Sequence, residues 1–174
     1  MACNTLTSGI ALDCFNQVGG IEVVYALHFS GSIAYGAPTA GVVSTLSVDG
    51  VSITEIDSSF LKFECEKQTG AITETGTFSA ENGTAFYTSV ASAVFNKMAG
   101  SKQAVLDQLG KTKLAVVVKD NNGKYWAIGN EQGATLSNST GTTGTAWADK
   151  NNLSIEFTGI ALEPMFEVDA NLFS

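Results

Sequence analysis

Apolar and polar residues alternate with a period of two through most of this chain, which is the pattern of β-strands. Over residues 21–30 every second position is apolar, and the positions between them include the apolar residues Val24 and Ala26. Two more alternating runs, 42–48 and 51–56, flank Asp49-Gly50, a pair typical of a two-residue hairpin turn. The pattern predicts a mainly β fold of antiparallel strands, either a β-sandwich or a barrel.

One segment departs from this period and predicts a short flanking α-helix at about 101–109. Ser101 is the expected N-cap, and Gly110 stands where a C′ glycine belongs. The apolar face of this helix is formed by Val105, Leu106 and Leu109.

The rest of the chain predicts one domain over 1–174 with an extended N-terminal segment. Residues 137–145 are rich in Gly, Ser and Thr and predict a loop. Pro164 begins a C-terminal tail, 163–174.

The basic residues exclude several function classes. All nine are Lys, Arg is absent, and the formal net charge is −8. Because Arg supplies most bidentate phosphate and guanine contacts, we expect no specific nucleic-acid binding. The single His, His28, has apolar neighbours and is expected to pack within a strand. No run of about 18 apolar residues predicts a membrane span, and no signal peptide is expected.

No motif predicts a catalytic centre. Gly110-Lys111-Thr112 lacks the first glycine of a phosphate-binding loop, and the calcium-like run at 120–123 is better explained as a hairpin turn. Glu64 and Glu66 share a strand face but have no companion sugar cleft. Cys3, Cys14 and Cys65 lack metal-ligand spacing and predict free thiols. We therefore expect no enzyme activity, no metal and no cofactor.

Charge is distributed unevenly along the chain. Residues 1–61 carry −5, residues 62–124 carry +2 and residues 125–174 carry −5. Two acidic ends around a basic centre suit self-association, because such surfaces complement each other between copies. Chance clustering on a solvated surface explains the same distribution equally well.

The second half of the chain carries a recognisable succession of motifs. A short helix is followed by the valine-rich strand and Asn-Asn-Gly-Lys-Tyr-Trp hairpin of 113–129, a Gly-x-x-Gly-Thr-Ala loop at 141–146, and a final strand at 153–159. This order resembles bacteriophage tail tube proteins (major tail proteins). The N-terminal segments 8–14 and 19–21 also resemble the start of proteins in that family.

The resemblance implies a structural virion protein of the phage tail, assembled in the bacterial host cytoplasm. Its subunits would form homohexameric rings in which sheets join into a barrel around a channel, and the rings would stack into a tube. Genomic DNA would pass through without specific binding, which suits an acidic chain without Arg. Tape-measure and tail-terminator proteins would be further partners.

In such a tube, individual residues are candidates for the channel wall and for the contacts between copies. The alternation with Phe63 and Cys65 makes Lys62, Glu64 and Glu66 candidates for a lumen-facing row. The loop 137–145 and the tail 163–174 are candidates for contacts between rings or subunits. Candidate contact residues between copies are Ile21, Val23, Phe166, Val168 and Phe173.

Two alternatives remain open from the sequence. Another phage β-sandwich, such as a tail completion or decoration protein, would share the strand pattern. A carbohydrate-binding or adhesion module would instead be monomeric and display exposed aromatic residues in a shallow groove.

Overall fold

The computed structural model of the chain describes residue 10 and residues 17–39 and 41–173. The motif at 8–14, apart from Ile10, and the thiols of Cys3 and Cys14 lie outside these described residues. The strands are β1 (Ile21–His28), β2 (Ile33–Tyr35), β3 (Val42–Val43), β4 (Leu46–Val48), β5 (Val51–Ile53), β6 (Leu61–Glu64), β7 (Ala71–Ser79), β8 (Thr84–Asn96), β9 (Leu114–Asp120), β10 (Tyr125–Ile128), β11 (Ala134–Thr142), β12 (Asn152–Ala161) and β13 (Phe166–Val168). The α-helices are α1 (Ile56–Ser59) and α2 (Gly100–Leu109).

The predicted fold class is confirmed, because the chain is mainly β with antiparallel pairing throughout except for one pair. A central sheet has the strand order β6–β1–β9–β10–β13–β3. Strand β9 lies in its middle, with Val118 opposite Val24 of β1 on one side and Trp126 of β10 on the other. Strand β9 therefore has hydrogen-bonded neighbours along both of its edges.

A second sheet of four strands has the order β11–β12–β8–β7. It joins the central sheet at one corner through the pair Ala134 and Leu114. At another corner the backbone N–H of Glu66 donates to the carbonyl of Val94 at 2.9 Å. The two sheets therefore enclose a barrel-like core.

Both faces of the central sheet are covered within one chain. Val24, Val116 and Val118 face the core shared with β8, β12 and helix α2. Val23 and Val117 face the opposite way, into a second core under the small sheet β2–β4–β5. Two cores explain why β1 and β9 are apolar at nearly every position.

Helix α2 covers the predicted residues, but its two caps differ from the prediction. Ala99 is the N-cap residue, without a side-chain hydrogen bond, and Gly110 has a right-handed φ of −67°. Leu106 and Leu109 are buried as expected, whereas Val105 is partly exposed. The one-turn helix α1 was not predicted, because four residues are too few for a helical period.

The predicted loop at 137–145 is wrong for most of its length, because residues 137–142 belong to strand β11. The predicted tail at 163–174 contains strand β13, which pairs with β10 and β3, and a 3₁₀ turn at Ala170–Phe173. The predicted hairpin turn at Asp49-Gly50 is confirmed, with φ values of +51° and +79° and β4 paired to β5.

Candidate functional site

The sequence-predicted lumen candidates lie on β6 and just after it, at the edge of the central sheet. Lys62 and Glu64 form an exposed ion pair at 3.5 Å. Glu66 instead pairs with Lys150 at 2.9 Å, next to the loop that follows β11. The structure thus pairs Lys62 with Glu64 and Glu66 with Lys150. Their facing a lumen stays a prediction.

These residues border a cavity of about 480 Å³ between β6 and α2. Its apolar wall contains Phe63 and Phe95, whose ring centroids lie 6.2 Å apart, together with Leu106. Burial raises the pKa of the Cys65 thiol to about 11, so this thiol is protonated at neutral pH. The cavity wall therefore lacks an activated nucleophile at Cys65.

Three of the candidate contact residues are core residues of the subunit. Ile21, Val23 and Val168 are each less than 5% exposed. Phe166 is half-buried against Tyr35, and Phe173 is stacked on Tyr125 with centroids 3.6 Å apart. Their apolar character is thus accounted for by packing inside one chain. Contact with a second copy stays a prediction.

The four-stranded sheet presents one open face. Ser92, Glu156 and Asn138 stand side by side across β8, β12 and β11, while Phe157 beside Glu156 points into the core. The other members of this open face include Thr73 and Thr75 of β7, Thr88, Val90 and Val94 of β8, Ser154 and Thr158 of β12, and Thr140 and Thr142 of β11. Glu156 is the single charged residue in these rows of the described strands. The face is rich in hydroxyl groups and nearly uncharged.

Both outer edges of this sheet are unpaired among the described residues. Strand β7 pairs with β8 alone. Strand β11 pairs with β12, and its other side meets β9 only at Ala134. The segments 72–79 and 138–142 therefore offer backbone N–H and C=O groups to another strand.

The β7–β8 hairpin extends beyond the rest of its sheet. Ala161, the last residue of β12, pairs with Tyr87. Between Tyr87 and its turn, the hairpin therefore has no β12 residues beside it. Phe78 is exposed on this extension and contacts the Tyr87 ring edge-on at 5.6 Å. The backbone N–H of Met165 donates to Glu74 at 2.6 Å and ties the hairpin base to the C-terminal segment.

The loop between β11 and β12 displays Trp147, whose side chain is fully exposed. Asp149 accepts hydrogen bonds from the backbone N–H groups of Ala146 at 2.7 Å and Thr145 at 2.8 Å. These hydrogen bonds lower the pKa of the Asp149 carboxyl. Trp147 is thus not a core residue of this chain.

No group of three or more His, Cys, Asp or Glu residues suitable for a metal ion occurs in the described part of the chain. His28 lies exposed at the end of β1, which corrects the expectation that it packs inside a strand. Among the described helices, none has the length and hydropathy needed to cross a membrane.

No protein-family model matches this chain, and no curated protein matches it. A chain from the virion of a native gene transfer agent particle is similar in structure, with a TM-score of 0.42 and 6% sequence identity. The match covers 66% of this chain and 93% of that chain. A likeness of this degree carries no conclusion about function.

Proposed function

We propose that this protein is a structural subunit of a virion, and specifically a tail tube subunit. The four-stranded sheets of several copies join edge to edge in a ring around a channel. The observation that carries the proposal is the pair of unpaired edges on one sheet, β7 and β11, at opposite sides of an open polar face.

The strand directions suit this closure. Four antiparallel strands are an even number, so β7 and β11 run in opposite directions. When copies stand side by side with the same orientation, β7 of one copy therefore meets β11 of the next in antiparallel pairing. The same sheet continues from copy to copy without reversing any subunit, as a cyclic ring requires.

The two edges are also staggered. Thr75, the midpoint of β7, aligns through Thr88 with Ile160 of β12, whereas Asn138, the midpoint of β11, aligns with Glu156. The midpoints are thus four residues apart along β12. A closed sheet needs such a stagger, because strands in a barrel tilt relative to its axis.

The open face has the chemistry of a channel wall for DNA. It carries hydroxyl groups and Glu156 and no lysine in the described rows, so it offers phosphates no strong binding site. In this arrangement Lys62 and Glu64 of β6 lie outside the channel wall, which departs from the sequence-based hypothesis. The number of copies per ring, six, comes from the family resemblance.

Electron microscopy and sedimentation of edge variants test the proposal. A proline is placed in turn at positions 138, 139, 140 and 141 of β11. Backbone N–H groups of an edge strand point alternately toward the partner strand and away from it. Every second proline is therefore expected to leave the subunit folded and abolish rings, while the intervening prolines destabilise the subunit itself.

The conservative variant Thr140→Ser is the control and should assemble like the wild type. Rings or tubes with a central channel are expected from the wild type as the concentration rises. Single subunits at every concentration, or rings formed by all folded proline variants, contradict the proposal.

One observation favours the alternative of a carbohydrate-binding module, namely the full exposure of Trp147. Sugars stack on such rings. Glycan screening with the wild type and Trp147→Ala would detect sugar binding that depends on this residue. A module of this kind would show Trp147-dependent glycan binding and would remain monomeric.

A further inference from the structure

A tryptophan held in a hydrogen-bonded loop stands at one end of the molecule. Besides the Asp149 contacts, the backbone of Asn151 accepts the N–H of Lys97 at 2.8 Å, and its side chain accepts the N–H of Met98 at 2.8 Å. The loop is thus anchored to the end of β8. Because the loop backbone is already held by these hydrogen bonds, a partner that buries the exposed indole does not have to order the loop.

The opposite end of the β11–β12 hairpin carries a cavity lined by both apolar and acidic residues. Strand β12 runs from Asn152 beside the tryptophan loop to Ala161, a distance of about 30 Å at the usual rise per residue. There, a cavity of about 150 Å³ is lined in part by Leu162, Phe166 and Ala161. Leu162 is 78% exposed at its rim.

The two ends differ in charge. Near the tryptophan loop lie Lys97 and Lys102, whose ammonium group donates to the carbonyl of Lys97 at 3.2 Å. Lys150 is paired with Glu66, and the Asp149 carboxylate accepts backbone N–H groups of its own loop. The cavity at the other end is lined by Glu131 and Glu163 and by no lysine of the described chain. Glu74, bonded to Met165, adds a third carboxylate there.

The cavity wall also contains an unsatisfied acceptor. Asn130 is 4% exposed, and its amide donates to the carbonyls of Glu163 at 3.1 Å and Pro164 at 2.9 Å. Its Oδ1 atom has no hydrogen-bond partner among the described residues. An indole N–H is a donor without an acceptor, so the two ends are complementary in polarity as well as in charge.

From these observations we infer that a second copy of this chain docks head to tail, with Trp147 of one copy against the Leu162 cavity of the next. The inference rests on the proposed function and deepens it, because it names the faces through which successive rings touch. A contact between two different faces repeats without limit, as a stacked tube requires. Buried tryptophans often dominate the binding energy of interfaces.

Disulfide trapping between two single variants tests the contact. Trp147→Cys and Leu162→Cys are made separately in a background with Cys3→Ser, Cys14→Ser and Cys65→Ser, then mixed and oxidised. A disulfide needs Cα atoms within about 7 Å. Because strand β12, about 30 Å long, separates the two positions within one chain, a 147–162 disulfide reports contact between copies.

Peptide mapping should give a yield of the 147–162 disulfide at least ten times the yield of the 147–51 disulfide in a control mixture. The control pairs Trp147→Cys with Val51→Cys, another exposed apolar position on the small sheet. A yield equal to the control overturns the inference, and so does a dominant 147–147 disulfide, which indicates a symmetric contact.

Electron microscopy of Trp147→Ala separates this inference from the proposed function. Isolated rings without tubes are expected, with tubes partly restored in Trp147→Phe. Tubes of normal length in Trp147→Ala overturn the docking of Trp147 and leave the tube function standing. Ring formation in the β11 proline series tests the proposed function and does not test the docking of Trp147. Glycan binding by wild type that Trp147→Ala abolishes would assign the residue to another partner.

Discussion

Gly129 and Gly159 lie against each other where the end of the central sheet meets β12. A Cβ atom on Gly159 would come within 2.6 Å of the Cα atom of Gly129. A Cβ atom on Gly129 would lie 2.0 Å from the carbonyl oxygen of Gly133, and Gly129 also has a φ of +73°. Two backbones approach here more closely than any side chain allows.

We therefore expect Gly159→Ala to lower the free energy of unfolding by about 1–3 kcal/mol, the usual cost of overpacking. Urea unfolding followed by circular dichroism measures the change. Gly100→Ala is the matched control, because a Cβ there meets nothing within 4 Å and the residue begins α2. Equal stability of Gly159→Ala and wild type would contradict the close approach.

Asp49 links the β4–β5 turn to the end of β1. Backbone N–H groups of Ser30, Gly31 and Ser32 donate to its carboxylate, and these hydrogen bonds lower its pKa. A depressed pKa in the folded state contributes stability above the pKa of the unfolded chain, which is lost as the pH falls through the folded pKa.

Asp49→Asn should accordingly flatten the loss of stability below about pH 4, while Asn still tolerates the positive φ at this position. Unfolding free energies measured between pH 7 and pH 2 test this. Glu81→Gln, in the turn of the β7–β8 hairpin, removes the same charge and serves as the control. An acid profile unchanged by Asp49→Asn would show that the carboxylate does not couple to folding.

Cys65 should react slowly in the folded protein. With a pKa of about 11, less of the thiol is ionised at pH 8 than in an unfolded chain. In a Cys3→Ser/Cys14→Ser variant, we expect labelling by a disulfide reagent at pH 8 to be at least tenfold faster in denaturant than in buffer. Equal rates in the two conditions would mean that the thiol is not buried as described.

Labelling of two glutamate positions can show which strand faces the channel. In assembled tubes, Glu156→Cys should react with a small maleimide but not with a polymer-linked maleimide too wide for the channel. Glu64→Cys should react with both reagents, because β6 lies outside the proposed channel wall. The reverse result would support the sequence-based row of Lys62, Glu64 and Glu66.

Phe173 contributes to the folded subunit through its ring contacts. It stacks on Tyr125 at 3.6 Å and lies 5.1 Å from the Tyr25 ring. Phe173→Ala should reduce the free energy of unfolding by about 1–3 kcal/mol. Phe78→Ala, at a ring that is 66% exposed, is the control and should change stability less. Deletion of 163–174 should destabilise the subunit itself, because this tail includes strand β13 and buried Val168.

Hydrophobicity and turn chemistry along the chain were sufficient to predict the strands with a strong local signal. The valine-rich segment of β9 and the turn at 120–123 follow from hydrophobicity and turn chemistry within a few residues. Strand β11 was missed beyond Leu136, because its remaining residues are exposed on both faces and carry no apolar alternation. Composition alone cannot separate such an edge strand from a loop.

The candidate site depends on pairings between distant parts of the chain. The sequence predicted a mainly β subunit, its helix at 101–109 and a surface unsuited to binding nucleic acid, since these follow from local pattern and charge. The order β11–β12–β8–β7, its two unpaired edges and the exposure of Trp147 were decided by tertiary structure. The apolar faces of β1 illustrate the reason: the same residues suit a second core or a second copy, and packing within the chain selects between them.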